Sequence, residues 1–198
     1  GEVHTIAKPQ DFEKIRDHQP FVLSFNYPTE YGWRGRFEYT LFGDDPPIPN
    51  NMSPRPVFSW RRVFNGAAYP GKHTDMALMN WPRQDYHDES VLDRAPEDAA
   101  RVLQNAKKVS FSFLYWLQND QKTPGFKLRL DQMGSADGLA QLPYIRESRR
   151  LAALGTVREQ DIVFENRPRA RAVLFPDSVG TGFYMVDIHP CGANEKGR

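Results

Sequence analysis

PEDAARVLQNAKKVSFSFLYWLQN, residues 96–119, decides the fold. Ala99, Val102, Leu103, Ala106, Val109, Phe113, Leu114, Trp116 and Leu117 recur at i, i+3, i+4 and i+7 spacing, which places them on one face of an α-helix. Asp93 or Ala95–Pro96 opens that helix, because proline is tolerated in a first turn that has no use for its missing N–H. The apolar stripe widens at FSFLYWL, so the C-terminal end is expected deep in the core. Arg101, Lys107 and Lys108 are expected in water.

Outward from the helix, the strand signals lie on both sides. FVLSFNY at 21–27 and RFEYTLF at 36–42 are β-branched or aromatic runs, with Gly32 and Gly35 in the turn region between them. VFSWRRVF at 57–64 reads as another strand, and further strands are expected at 160–164 and 183–188. The stretch 43–56, GDDPPIPNNMSPRP, is too proline-rich for a helix and is expected as a surface loop or lid. Residues 65–75 are turn-rich. A shorter helix is expected at 126–133, ending near Gly134, and ENRPRARA at 165–172 is a polar connector. One long helix among strands, without βαβ alternation, predicts an α+β fold: a mixed or mainly antiparallel sheet with the 96–119 helix packed on it. At 198 residues the chain is read as one domain.

Charge narrows the partners. Lys plus Arg is 26 and Asp plus Glu is 25, so there is no net field to draw in nucleic acid or an anionic membrane. No window approaches the roughly 18 continuous apolar residues of a membrane span. The N-terminus has no basic–apolar–small signal pattern, and a cytoplasmic location is favoured. The single cysteine, Cys191, excludes an internal disulfide. His73 with Asp75, and His87 with Asp85 and Asp88, have metal-ligand chemistry. They sit in loop-like sequence without HExxH or CxxC, so no metal is expected.

Three segments carry candidate chemistry. In QLPYIRESRRL, 141–151, strand alternation sends Arg146 and Arg150 to one face and Glu147 and Arg149 to the other. Glu147 and Arg149 are expected as a structural ion pair. Arg146 and Arg150 are expected to bind substrate by facing an anionic group, because guanidinium grips carboxylate or phosphate through paired hydrogen bonds. In PDSVGTGFYMVDIHP, 176–190, Asp187 and His189 share one face at a strand end. A carboxylate there can set the imidazole tautomer and leave a general base, although an ordinary strand-end histidine has the same spacing. NWPRQDYHDES, 80–90, offers Asn80, Trp81 and Tyr86 to stack on and hydrogen-bond a flat or sugar-like ligand. The alternative is a loop anchoring the helix N-terminus, with its acids near the positive end of the dipole.

Four blocks in order, GKHTDMALMNWP at 71–82, the helix ending in SFLYWLQND, LPYIRESRRL and PDSVGTGFYMVDIHP, resemble the middle of the bacterial FAD-dependent oxidoreductase family. The resemblance implies a substrate-side region that covers the flavin, with His189 close to flavin or substrate. It carries Arg146, Glu147 and Arg149 over to an RES-R motif, and Asp187, His189 and Pro190 to a D-x-H-P motif. The sequence has no GxGxxG to hold a pyrophosphate. Together these imply a portion of a flavoenzyme whose FAD-binding part comes from another polypeptide or from further sequence. The expected reaction is oxidation of a small alcohol or sugar-like molecule by hydride transfer to FAD. The alternative is a non-catalytic ligand-binding or interaction module.

Overall fold

The computed structural model describes residues 5–26, 36–38, 40–42, 56–81, 85–144, 152–162 and 175–180. Its centre is helix α3, Pro96–Asn119. Ala95 is extended and Pro96 begins the helical turns, with Glu97 and Asp98 in the first turn where the dipole favours acids. The far end closes on itself: Asp120 and Gln121 N–H donate to Trp116 O, and Thr123 N–H donates to Leu117 O. The buried positions crowd into the C-terminal half, at Val109, Ser112, Phe113, Leu114, Trp116, Leu117 and Gln118. Arg101 and Lys108 are exposed and Lys107 is half-exposed.

α1, Phe12–His18, packs against α3. Phe12 meets Tyr115 edge-on at 4.8 Å, and Asp11 pairs with Lys108 at 3.1 Å. Beyond α1 the core is assembled from separated pieces. Phe21, Leu41, Val57 and Trp81 converge on Val109, Phe113, Trp116 and Leu117. Phe21 stands edge-on to Phe113 at 5.6 Å, and Phe113 stacks on Trp116 at 5.7 Å. A chain modest in hydrophobic content thus concentrates large rings around one helix end.

The described strands form two antiparallel ribbons of two strands each, which with α3 gives an α+β fold. β1, Ser24–Asn26, pairs with β2, Arg36–Glu38, with Phe25 opposite Phe37. α2, Val57–Trp60, leads into β3, Arg62–Phe64. β3 pairs with β4, Met76–Ala77, with an irregularity between Arg62 and Phe64. A 3-10 turn at Gly66–Ala68 lies between them. Two strand expectations hold at 24–26 and 36–38.

Three expectations do not. The 57–64 run is strand only in its second half. Pro56 opens a helical turn instead, closed by Trp60 N–H to Pro56 O and Arg61 N–H to Val57 O. Val57 and Phe58 N–H are used by Thr40 and Leu41 carbonyls, which fixes that turn in the core. Residues 126–133 are not a helix: 126–129 are irregular and 130–133 are turn and bend. Their backbone is committed elsewhere, with Phe126 N–H on Thr123 O and Phe126 O accepting from the Gln118 amide. At 160–164 the expected strand gives way to α4, Glu159–Ile162, a single turn in which the Asp161 carboxylate accepts Arg158 N–H. The 43–55 part of the proline-rich loop and the 183–188 run lie outside the described residues, as do 163–164. No helix among the described residues is long and apolar enough to cross a membrane.

Gln118 is the buried polar group that joins these pieces. Its Oε1 accepts Ile6 N–H at 2.9 Å and its Nε2 donates to Phe126 O at 2.6 Å. Gln118→Leu keeps the volume and strands both backbone groups. It is expected to cost about 1–3 kcal/mol, read as a lowered urea midpoint. An unchanged midpoint would show that water replaces the amide at both places.

Candidate functional site

Two side-chain clusters are organised enough to consider as sites. The first surrounds the N-terminus of α3. The chain from 85 to 95 is tied to α1 by the Gln19 amide on Asp85 O at 2.8 Å and by His18 Nε2 on Asp88 Oδ1 at 2.8 Å. It is tied to α3 by charge. Arg101 grips Glu89 with both terminal nitrogens, at 2.7 and 2.8 Å, and reaches Asp98 at 2.6 Å. Arg94 pairs with Asp98 at 2.6 Å and donates to Ser90 O. The Tyr86 hydroxyl donates to Glu89 Oε2 at 2.9 Å.

This network fixes protonation states. Hydrogen bonding from Arg101 holds the Glu89 carboxyl down at about 2. Burial, with the Glu89 contact, pushes the Tyr86 phenol up to about 12. Near neutral pH Glu89 is therefore ionised and Tyr86 protonated, and each is engaged by the other. A locked acceptor and a locked donor make a clamp, not an acid–base pair.

The clamp predicts a pH dependence. Glu89 is depressed from 4.5, so its contribution is complete above about pH 4.5 and fades as pH falls towards about 2. Tyr86 is raised from 10, so its contribution is complete below about pH 10 and fades as pH rises towards about 12. Glu89→Gln should lower the melting temperature at pH 6–8 and flatten the acid limb below about pH 4.5. Parallel acid limbs in parent and variant would remove Glu89 from the account.

The second cluster lies in the β3–β4 ribbon. Tyr69 stacks on Phe64 at 4.9 Å, with His73 edge-on to both rings. Arg62 pairs with Asp75 at 3.0 Å, and Asp75 Oδ1 accepts Gly66 N–H at 2.9 Å. The hydrogen bond from Arg62 holds the Asp75 carboxyl below its usual range. A methyl on Gly66 would lie 2.5 Å from His73 O, so the ribbon closes tightly over that backbone. His73 Nε2 is 2.9 Å from Pro70 O, and His87 Nδ1 is 3.2 Å from Asp85 O. Among the described residues no three His, Cys, Asp or Glu side chains gather to hold a metal ion.

The sequence-predicted site residues divide sharply. Arg146, Glu147, Arg149, Arg150, Asp187, His189 and Pro190 lie outside the described residues. Trp81 is only 1% exposed, in the core, and its indole N–H donates to Val22 O at 3.1 Å. Tyr86 packs on the edge of that core and is held in the Glu89 clamp. Asn80 is half-buried beside Trp81. Sequence reasoning missed Trp60 and Arg61, whose guanidinium lies 4.4 Å from the indole centroid. The signal was the WRR run at 60–62, which reads as strand surface.

An α+β domain built on one long helix is the class that this architecture defines. The chain belongs to the FAD dependent oxidoreductase family, whose model matches residues 25–198. No curated protein and no solved structure matches it. The family's cofactor is FAD, and the described residues do not fit its pyrophosphate. Among them no glycine-rich turn leads from a strand into a helix. The long helix starts at Ala95–Pro96 with Glu97 and Asp98 in its first turn, and the arginines near that end, Arg94 and Arg101, are already taken by Asp98 and Glu89, so among the described residues it offers a phosphate no free cation and one amide donor fewer at the proline.

Proposed function

We propose that this chain is the substrate-side portion of an FAD-dependent oxidoreductase that oxidises a small alcohol or sugar-like molecule. The family match over 25–198, which takes in both the arginine-rich segment and the D-x-H-P motif, carries this reading. FAD, when bound, supplies the hydride acceptor. Its pyrophosphate is held by another polypeptide or by further sequence. The chain's own residues prepare the substrate. Arg146 and Arg150 orient its polar groups through in-plane hydrogen bonds. His189 takes the hydroxyl proton on a ring nitrogen, and Asp187 fixes the tautomer that leaves this nitrogen free. Glu147 and Arg149 pair with each other and support the segment that carries the other two arginines.

The test is a visible spectrum of the protein with every polypeptide that accompanies it, with the mass of each component. The expected result is a flavin absorption band that bleaches when a small alcohol or sugar is added without oxygen. A preparation that takes up no FAD, alone or with its companions, would overturn the reading.

A further inference from the structure

Arg61 is out of balance with its surroundings. Four Lys and Arg side chains among the described residues are partly buried: Arg16, Arg61, Arg94 and Lys107. Three hold a carboxylate, Arg16 on Glu13 at 2.6 Å, Arg94 on Asp98 at 2.6 Å and Lys107 on Asp137 at 2.5 Å. Arg61 has no acid partner among the described residues, and its buried Nε has no hydrogen-bond partner. What it does have is the Trp60 ring, 4.4 Å from its guanidinium carbon. That contact places the cation over the indole ring but supplies no hydrogen-bond acceptor for the guanidinium N–H groups.

The neighbourhood is fixed rather than trailing. Arg61 N–H is bonded to Val57 O, and Arg61 O accepts Leu78 N–H at 3.0 Å. Two residues beyond Leu78 is Asn80, half-buried, with a side-chain amide that bonds to no described residue. Trp60 is 41% exposed, so this corner opens to solvent. A part-buried cation oriented by an indole, beside a segment with a spare carboxamide, is the chemistry that recognises an anion. Guanidinium meets a carboxylate or phosphate through two parallel N–H···O bonds, and an amide N–H adds a third.

We propose that Arg61, held over Trp60, with Asn80 two residues beyond the Leu78 that bonds its carbonyl, is an anion-recognition site for a small molecule bearing a carboxylate or a phosphate ester. The site stands independently of whether the chain binds FAD. Two probes separate the two anion sources: inorganic phosphate and malonate, titrated into the full chain by calorimetry against a chloride control of equal ionic strength. Saturable binding of one or both is expected. The probe that binds names the source. Arg61→Gln should weaken that binding roughly ten- to a hundred-fold, the worth of a charge-assisted hydrogen bond. Asn80→Ala should weaken it less. If Arg61→Gln does not fold, Arg61→Lys decides, since it keeps the stem and charge but loses the planar fork. Binding no better than chloride, or undiminished affinity in either Arg61 variant, would overturn the proposal.

Discussion

Trp81→Ala is expected to remove about 3–5 kcal/mol of folding stability, the range for emptying a buried aromatic position. The indole is 1% exposed and joins a core with Phe21, Val57, Phe113 and Trp116. Its N–H also satisfies Val22 O, so truncation leaves both a cavity and an orphaned carbonyl. A domain is stable by about 5–15 kcal/mol, so a loss of this size takes away a large share of the total. Trp81→Phe separates the two contributions. It refills most of the cavity and loses only the hydrogen bond, for which about 1–2 kcal/mol is expected. Both values come from urea denaturation. A loss below about 1 kcal/mol for Trp81→Ala would contradict a core role and return Trp81 to the ligand-stacking role that its sequence context offered.

What was legible in the sequence, and what was not, follows from range of interaction. α3 was readable to within a turn because its pattern repeats over 24 positions, long enough for periodicity to outweigh local accident. The 57–64 and 160–164 runs are short and β-branched or apolar, and one hydrogen bond to a distant carbonyl or an aspartate cap turns each towards helix. The 126–133 stretch has good helix formers, but at its start Phe126 O answers the Gln118 amide of α3 instead of a helical N–H. Asn80, Trp81 and Tyr86 show the same limit at a candidate site. An aromatic ring in a loop has one composition whether it stacks on a ligand or fills a core. Only the arrival of Phe21 and α3 around Trp81 separates the two. Arg61 is the converse. Its sequence setting is bland, and it becomes notable because, among the described residues, carboxylates meet Arg16, Arg94 and Lys107 but not Arg61.

His189→Ala is expected to slow flavin reduction by about 10²–10⁴-fold in the FAD-loaded protein, the usual worth of a positioned general base. The reasoning starts from Asp187 and His189, two apart at the end of an alternating run, within a region that matches the family. A neutral imidazole whose other nitrogen is bonded to a carboxylate has one defined lone pair to offer a substrate hydroxyl. Removing it leaves the substrate protonated at the moment its hydride must depart. The measurement is single-turnover bleaching of the flavin band without oxygen, with FAD affinity measured beside it. A chemical role predicts a slower bleach with FAD affinity unchanged, and partial rescue by added imidazole. Arg149→Ala should behave in the opposite way. If Arg149 neutralises Glu147 in the interior, its loss leaves an unpaired carboxylate at a cost of about 3–5 kcal/mol, so the protein should unfold more readily while its folded fraction bleaches at the parent rate. A His189→Ala protein that bleaches as fast as the parent would leave His189 as a strand-end histidine, and the proton would have to leave the substrate by another route.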